Sequence, residues 1–168
     1  MARSDNTPLV GIVMGSASDW DTMKHCCAKL KALGIPYEKN VISAHRTPER
    51  AHEYCTTASD RGLKVLIAAA GGAAHLAGVM AAGTELPVIG VPMMGWSVNG
   101  LDALLATVNM PGGIPVNTVS IGKAGAINAA LSAASILALF NQEIKGALHK
   151  ARVEQTEKTL KITLPDDE

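Results

Sequence analysis

Short, mostly apolar runs alternate with longer helical patterns along this chain, and that alternation leaves few folds open to it. "PLVGIVM" (8–14), "YEKNVI" (37–42), "KVLIAAA" (64–70), "LPVIGVP" (86–92) and "IPVNTVSI" (114–121) each read as a strand. Runs of this length and apolarity belong to strands covered on both faces, as in a parallel sheet. The segments between them carry helical signals. Trp20, Met23, Cys27 and Leu30 recur at helical spacing, Ser18 with Asp21 fits a capping box, and Gly34 followed by Pro36 stops the helix. Thr47 is expected to cap the next helix, with Pro48 in its first turn, Ala51, Tyr54, Cys55 and Ala58 on one face, and Gly62 at its end. "GGAAHLAG" (71–78) turns into a short helix, "MMGWSVNG" (93–100) is a loop, and "LDALLATV" (101–108) is a helix. "AGAINAALSAASILALF" (124–140) is apolar on every side, which predicts a helix buried all round.

Five strands alternating with helices predict an α/β protein with a parallel sheet between two helical layers. The 168 residues read as a single domain, 1–168, with a core over about 8–140. From residue 141 the chain turns charged. Ile144, Leu148 and Ala151 form a thin apolar stripe on a helical extension over about 141–164, expected to leave the core and lie across a neighbouring subunit. The final "PDDE" is expected to fray.

Composition narrows the function classes. Lys+Arg and Asp+Glu are 15 each, so no basic footprint for nucleic acid is present. The apolar runs are broken by Gly, Pro, Ser or Asn before they reach a membrane span, and "MARSDNTPLV" has no secretory apolar region. Three cysteines, Cys26, Cys27 and Cys55, make neither a disulfide framework nor a zinc pattern, and read as buried thiols of a cytoplasmic protein. Aromatic residues are only 3%, while Gly and Ala abound. A core of small side chains buries little apolar area per chain, so further burial between subunits is expected.

In a parallel α/β sheet, ligands bind outside the carboxyl ends of the strands. Three loops lie there. "GSASD" (15–19) places Ser16, Ser18 and Asp19 at a helix N-terminus, where free N–H groups suit a phosphate and Asp19 can accept from a sugar hydroxyl. The same residues also suit a plain helix cap. "SAHRT" (43–47) offers the planar fork of Arg46 for a phosphate or carboxylate. It also carries His45, whose charged form a neighbouring guanidinium and partial burial would disfavour, leaving a base; the bland readings are a structural histidine and a surface cation. "GGAAH" (71–75) is nearly all backbone. Gly71 and Gly72 let a ligand approach the main chain, and His75 suits a neutral hydrogen-bonding role or a structural one. His25, His52 and His149 read as bystanders. Paired carboxylates, a GxSxG elbow and metal-ligand clusters are all missing from the pattern.

"MGSASDW", "SAHRTPER", "AGGAAHLAG", "GLDALLATVNMPGGIPV" and "IGKAGAINAA" resemble, in the same order, the bacterial class I PurE family of N5-carboxyaminoimidazole ribonucleotide mutases, over about residues 9–140. The resemblance implies a three-layer, flavodoxin-like (Rossmann-like) fold and a homo-octamer with sites near subunit interfaces. It implies a cytoplasmic isomerase of purine biosynthesis that moves a carboxylate from the exocyclic nitrogen of its ribonucleotide to ring carbon 4, without metal, ATP or organic cofactor. It places the catalytic histidine on His45. Substrate contacts fall on Ser16, Ser18, Asp19, Ser43 and Arg46, and on the glycine-rich loop Gly71, Gly72, Ala73, His75 and Leu76. Class II relatives, which use free carbon dioxide, typically carry Lys where this chain has Arg46 and lack "GGAAHL". Ala69 and Ala77 stand where the family usually has Gly and Pro, and the 93–100 loop is less typical, its Trp96 fitting either an interface anchor or plain packing. A carbon dioxide-dependent carboxylase, a non-catalytic flavin- or nucleotide-binding module and an inactive structural oligomer are the competing readings.

Overall fold

The computed structural model describes residues 7–95 and 97–164. Five strands form one parallel sheet: β1 (Val10–Met14), β2 (Tyr37–Val41), β3 (Val65–Ala70), β4 (Val88–Pro92) and β5 (Asn117–Thr118), in the order β2-β1-β3-β4-β5. Six helices connect and follow them: α1 (Trp20–Ala32), α2 (Pro48–Thr56), α3 (Leu76–Ala82), α4 (Leu101–Val108), α5 (Gly122–Leu137) and α6 (Gln142–Leu160). This is the flavodoxin-like order, whose direction reverses between β1 and β3.

Alternation along β1 shows how the three layers are held. Val10, Ile12 and Met14 point into a core shared with α1, α5 and the start of α6. Val13 points into the opposite core, shared with α2 and α3. Gly11 lies on this second face because Tyr54 of α2 stands over it: a Cβ there would collide with the Tyr54 hydroxyl and lie 2.9 Å from Leu66 Cδ2. The register pairs Met14 with Val41 and with Ala69, so the ends of β1, β2 and β3 are level and their loops open side by side.

Several local expectations need correction. The capping box is built by Ser16 and Asp19, not by Ser18 and Asp21: Ser16 Oγ accepts from Ser18 N–H and Asp19 Oδ2 accepts from Ser16 N–H. Both pairs have the same spacing, and a 3₁₀ turn over Ala17–Asp19 decides between them. Thr47 does not cap α2 through its side chain; its hydroxyl turns back to donate to the Ser43 carbonyl at 2.9 Å. Trp20 is 37% exposed, with Lys39 Nζ 4.3 Å from its ring centroid. β5 has only two residues, since Pro115 cannot donate to a ladder and nothing pairs beyond this edge.

α5 buries one broad face of Ala126, Ala129, Ala130, Ala133 and Ala134, while Lys123, Ala124, Asn128 and Ser135 are exposed. It is therefore not buried all round within one chain; α1, α6 and the sheet cover one face of it. α6 is capped by Asn141, whose Oδ1 accepts from Glu143 and Ile144 N–H. Ile144 is buried and Ala147, Leu148 and Ala151 pack on the core, but every described residue from Arg152 onward is exposed. The expectations for Trp96 and for "PDDE" lie outside the described residues.

Candidate active site

All three loops singled out from the sequence emerge at the carboxyl ends of β1, β2 and β3, on either side of the point where strand order reverses. The 43–47 loop, after the edge strand β2, bonds to both of the others. Arg46 reaches back to the end of β1: its Nη2 donates to the Gly15 carbonyl at 3.1 Å and its Nε to Ser43 Oγ at 3.2 Å. The remaining guanidinium N–H groups are left for a ligand. Toward the loop after β3, His45 Nε2 lies 2.9 Å from His75 Nδ1, with the rings edge to face at 88°. One nitrogen of that contact must donate and the other accept, so the tautomers of the two rings are linked.

The first loop forms a small hydroxyl cluster. Ser18 Oγ donates to Ser16 Oγ at 2.9 Å, beside the Asp19 carboxylate. Burial raises the Asp19 carboxyl above its ordinary value of 3.8, while the bond from Ser16 N–H pulls the other way. A carboxylate made costly by burial gains from a donor such as a sugar hydroxyl.

In the third loop Gly72 is buried at φ +61, a left-handed conformation that glycine adopts without steric cost. Ala73 is exposed and its carbonyl accepts from His75 N–H at 2.8 Å. Leu76 is 2% exposed and packs in the α2–α3 core, so it offers a ligand its backbone and not its side chain. Gly71 is half-buried between them. His45 and Arg46 are exposed, so their own chain does not supply the partial burial expected for His45.

Two contributors escaped the sequence reading. Thr47 closes the His45 loop, accepting from Ser43 N–H as well as donating to its carbonyl. A Ser and a Thr four residues apart are the available signal. The Gly15 carbonyl, which holds Arg46, has no signal at all in a side-chain pattern. Among the described residues, no three His, Cys, Asp or Glu groups gather as for a metal ion, and no helix is long and apolar enough to cross a membrane.

Fold and site together define a doubly wound α/β protein with hydroxyls, a guanidinium and paired imidazoles gathered at its topological switch point. The chain belongs to the AIR carboxylase family, whose model matches residues 9–158. It is 59% identical to an N5-carboxyaminoimidazole ribonucleotide mutase of Bacillus subtilis, over 91% of this chain and 94% of that protein. The mutase of Pseudomonas aeruginosa is 53% identical over 95% of this chain and 98% of its own length. The crystal structure of Treponema denticola PurE superposes with a TM-score of 0.82 at 30% identity, covering 91% of this chain and 94% of that one.

Proposed function

We propose that this protein is an N5-carboxyaminoimidazole ribonucleotide mutase of purine biosynthesis, an isomerase that moves the substrate carboxylate from the exocyclic nitrogen to ring carbon 4. The observation that carries the reading is the placement of His45 and Arg46, bonded to the loops after β3 and β1, in a chain so similar to named mutases over nearly their whole length.

Ser16, Ser18, Ser43 and Arg46 hold the phosphate, and Asp19 accepts from the ribose. The backbone of Gly71, Gly72, Ala73 and Leu76, with His75, lies along the base. The reaction breaks one N–C bond and forms one C–C bond. The nitrogen gains a proton and carbon 4 loses one, so a single side chain that gives the first and takes the second closes the balance. His45 is that side chain. The isomerisation balances with no electron and no further reactant, and the proposal includes neither a cofactor nor a metal. Carbon dioxide released between the steps stays beside carbon 4, held by a cleft of small residues, which makes recapture effectively intramolecular.

The cleft is open in one chain, and we place the missing wall on a second copy in a homo-octamer. Leu101, Leu105 and Val108 form a half-exposed stripe on α4, and Leu139 and Phe140 are 73% and 90% exposed. Three free, buried cysteines suit the cytoplasm. The test is to supply N5-carboxyaminoimidazole ribonucleotide, and separately aminoimidazole ribonucleotide with bicarbonate, following absorbance. Rapid conversion of the first with little of the second is expected. The reverse would make the protein a carbon dioxide-dependent carboxylase, and turnover of neither would leave a binding module.

A further inference from the structure

The chain has seven asparagines, and only Asn99 is followed by glycine. A glycine there lets the following backbone nitrogen reach the carboxamide carbon unhindered, because no side chain stands in the way. Asn99 is exposed, and its φ of +52 makes it the one non-glycine residue in the left-handed region among those described. The nitrogen in question, that of Gly100, is held by one hydrogen bond, to the Gly95 carbonyl at 3.1 Å. Gly95 lies at φ +143, and a Cβ added to it would meet nothing within 4 Å, so the acceptor side of that bond has room to move.

We propose that Asn99–Gly100 is a self-modification site that converts to isoaspartate as the protein ages and thereby disables the cleft. The Gly100 nitrogen attacks Cγ of Asn99. A C–N bond forms, the Cγ–Nδ2 bond breaks, and ammonia leaves with the proton that Gly100 gives up. Water then opens the five-membered imide. Attack at Cγ returns an ordinary aspartate, whereas attack at the main-chain carbonyl carbon routes the backbone through the side chain and lengthens it by one methylene.

The two products differ in consequence because Gly100 has no room to move. A Cβ on it would lie 2.8 Å from the Met93 carbonyl oxygen and 3.2 Å from Met94 Cα. Met93 N–H in turn donates to the Ala70 carbonyl at 2.9 Å, one residue before the Gly71–Gly72 loop. The added methylene pushes Gly100 off Met93 and loosens that anchor. Aspartate at 99 leaves the main chain unchanged and adds only a charge ahead of α4.

The test ages the purified full chain at mildly alkaline pH and 37 °C beside Asn99→Asp and Asn99→Gly, the latter unable to react and free to adopt the same φ. Peptide mass mapping, isoaspartate methylation, thermal unfolding and turnover are followed together. Asn99 should convert before any other asparagine. Wild type should lose turnover and melting temperature in step with its isoaspartate fraction; Asn99→Gly should hold both, and Asn99→Asp, which reaches the same imide more slowly by losing water, should lag well behind wild type. An Asn99 that stays an amide while another asparagine converts overturns the site. Equal decay of Asn99→Gly, or isoaspartate with unchanged melting and turnover, overturns its effect. Mass and melting are read without any substrate, so they stand or fall separately from the mutase reading on which the turnover arm rests.

Discussion

At the scale of single residues, the proposed mechanism divides binding from proton movement. His45→Gln keeps a hydrogen-bonding group but cannot carry a proton. It should lower kcat by about 10²–10⁴ while nucleotide affinity stays near normal, because general acid–base catalysis contributes about that much; near-normal turnover would remove His45 from the mechanism. Arg46→Ala should act the other way. Loss of charge-assisted bonds to the phosphate, about 1.5–3 kcal/mol, should raise KM by about tenfold to a hundredfold, as read by steady-state kinetics. Asp19 has the opposite stability sign from most carboxylates. Its carboxyl is raised by burial, so the ionised form costs the empty protein stability. Below the ordinary value of 3.8 it is protonated folded and unfolded and contributes nothing. The cost appears as pH rises through the window from there to the raised folded value, and persists at neutrality. Asp19→Asn should therefore melt higher than wild type at pH 7, lose that advantage in acid, and bind nucleotide less well. A melting difference that persists unchanged at low pH would contradict the assignment. The pairing of His45 with His75 could not be read from the sequence, since thirty residues separate them and only the levelling of β2 and β3 about β1 brings them to 2.9 Å.

Secondary-structure elements were legible where burial is complete, and blurred where it is not. β1, β3 and β4 fall within one to two residues of their apolar runs because both faces are covered. β5 shrank to two residues because a proline and an open edge lie where the apolar pattern continues. The misplaced capping box shows the limit of spacing alone: Ser16–Asp19 and Ser18–Asp21 are equivalent as patterns, and only the turn geometry separates them. α5 looked buried on every side because alanines and other apolar residues outnumber Lys123, Asn128 and Ser135, the polar positions that in fact mark its exposed face. Gly11 ties two elements in a way that composition hides. Gly11→Ala should drive Tyr54 off β1 and cost about 1–3 kcal/mol, the usual cost of overpacking. The denaturant midpoint should fall with an unchanged slope; an unchanged midpoint would mean that α2 can shift freely.

At the scale of the whole molecule, one chain leaves its own site unfinished. The residues proposed to hold the substrate are exposed at His45, Arg46 and Ala73, and apolar side chains face outward along α4 and at the end of α5. A sequence with so few aromatic residues signals this shortage of internal apolar area, but not which faces would meet in the proposed octamer. Phe140→Asp should shift the assembly toward smaller species in light scattering without unfolding the chain, and its site should release carbon dioxide more readily. An unchanged mass would take Phe140 out of the interface. Enclosure is thus the central claim, and it is tested most directly by converting N5-carboxyaminoimidazole ribonucleotide in carbon-13 bicarbonate and measuring the label in the product. The expected product carries an unlabelled carboxylate, brought over from the substrate itself. Label entering at a rate comparable to turnover would show that the carbon dioxide comes from solution, and would contradict a transfer confined to the cleft.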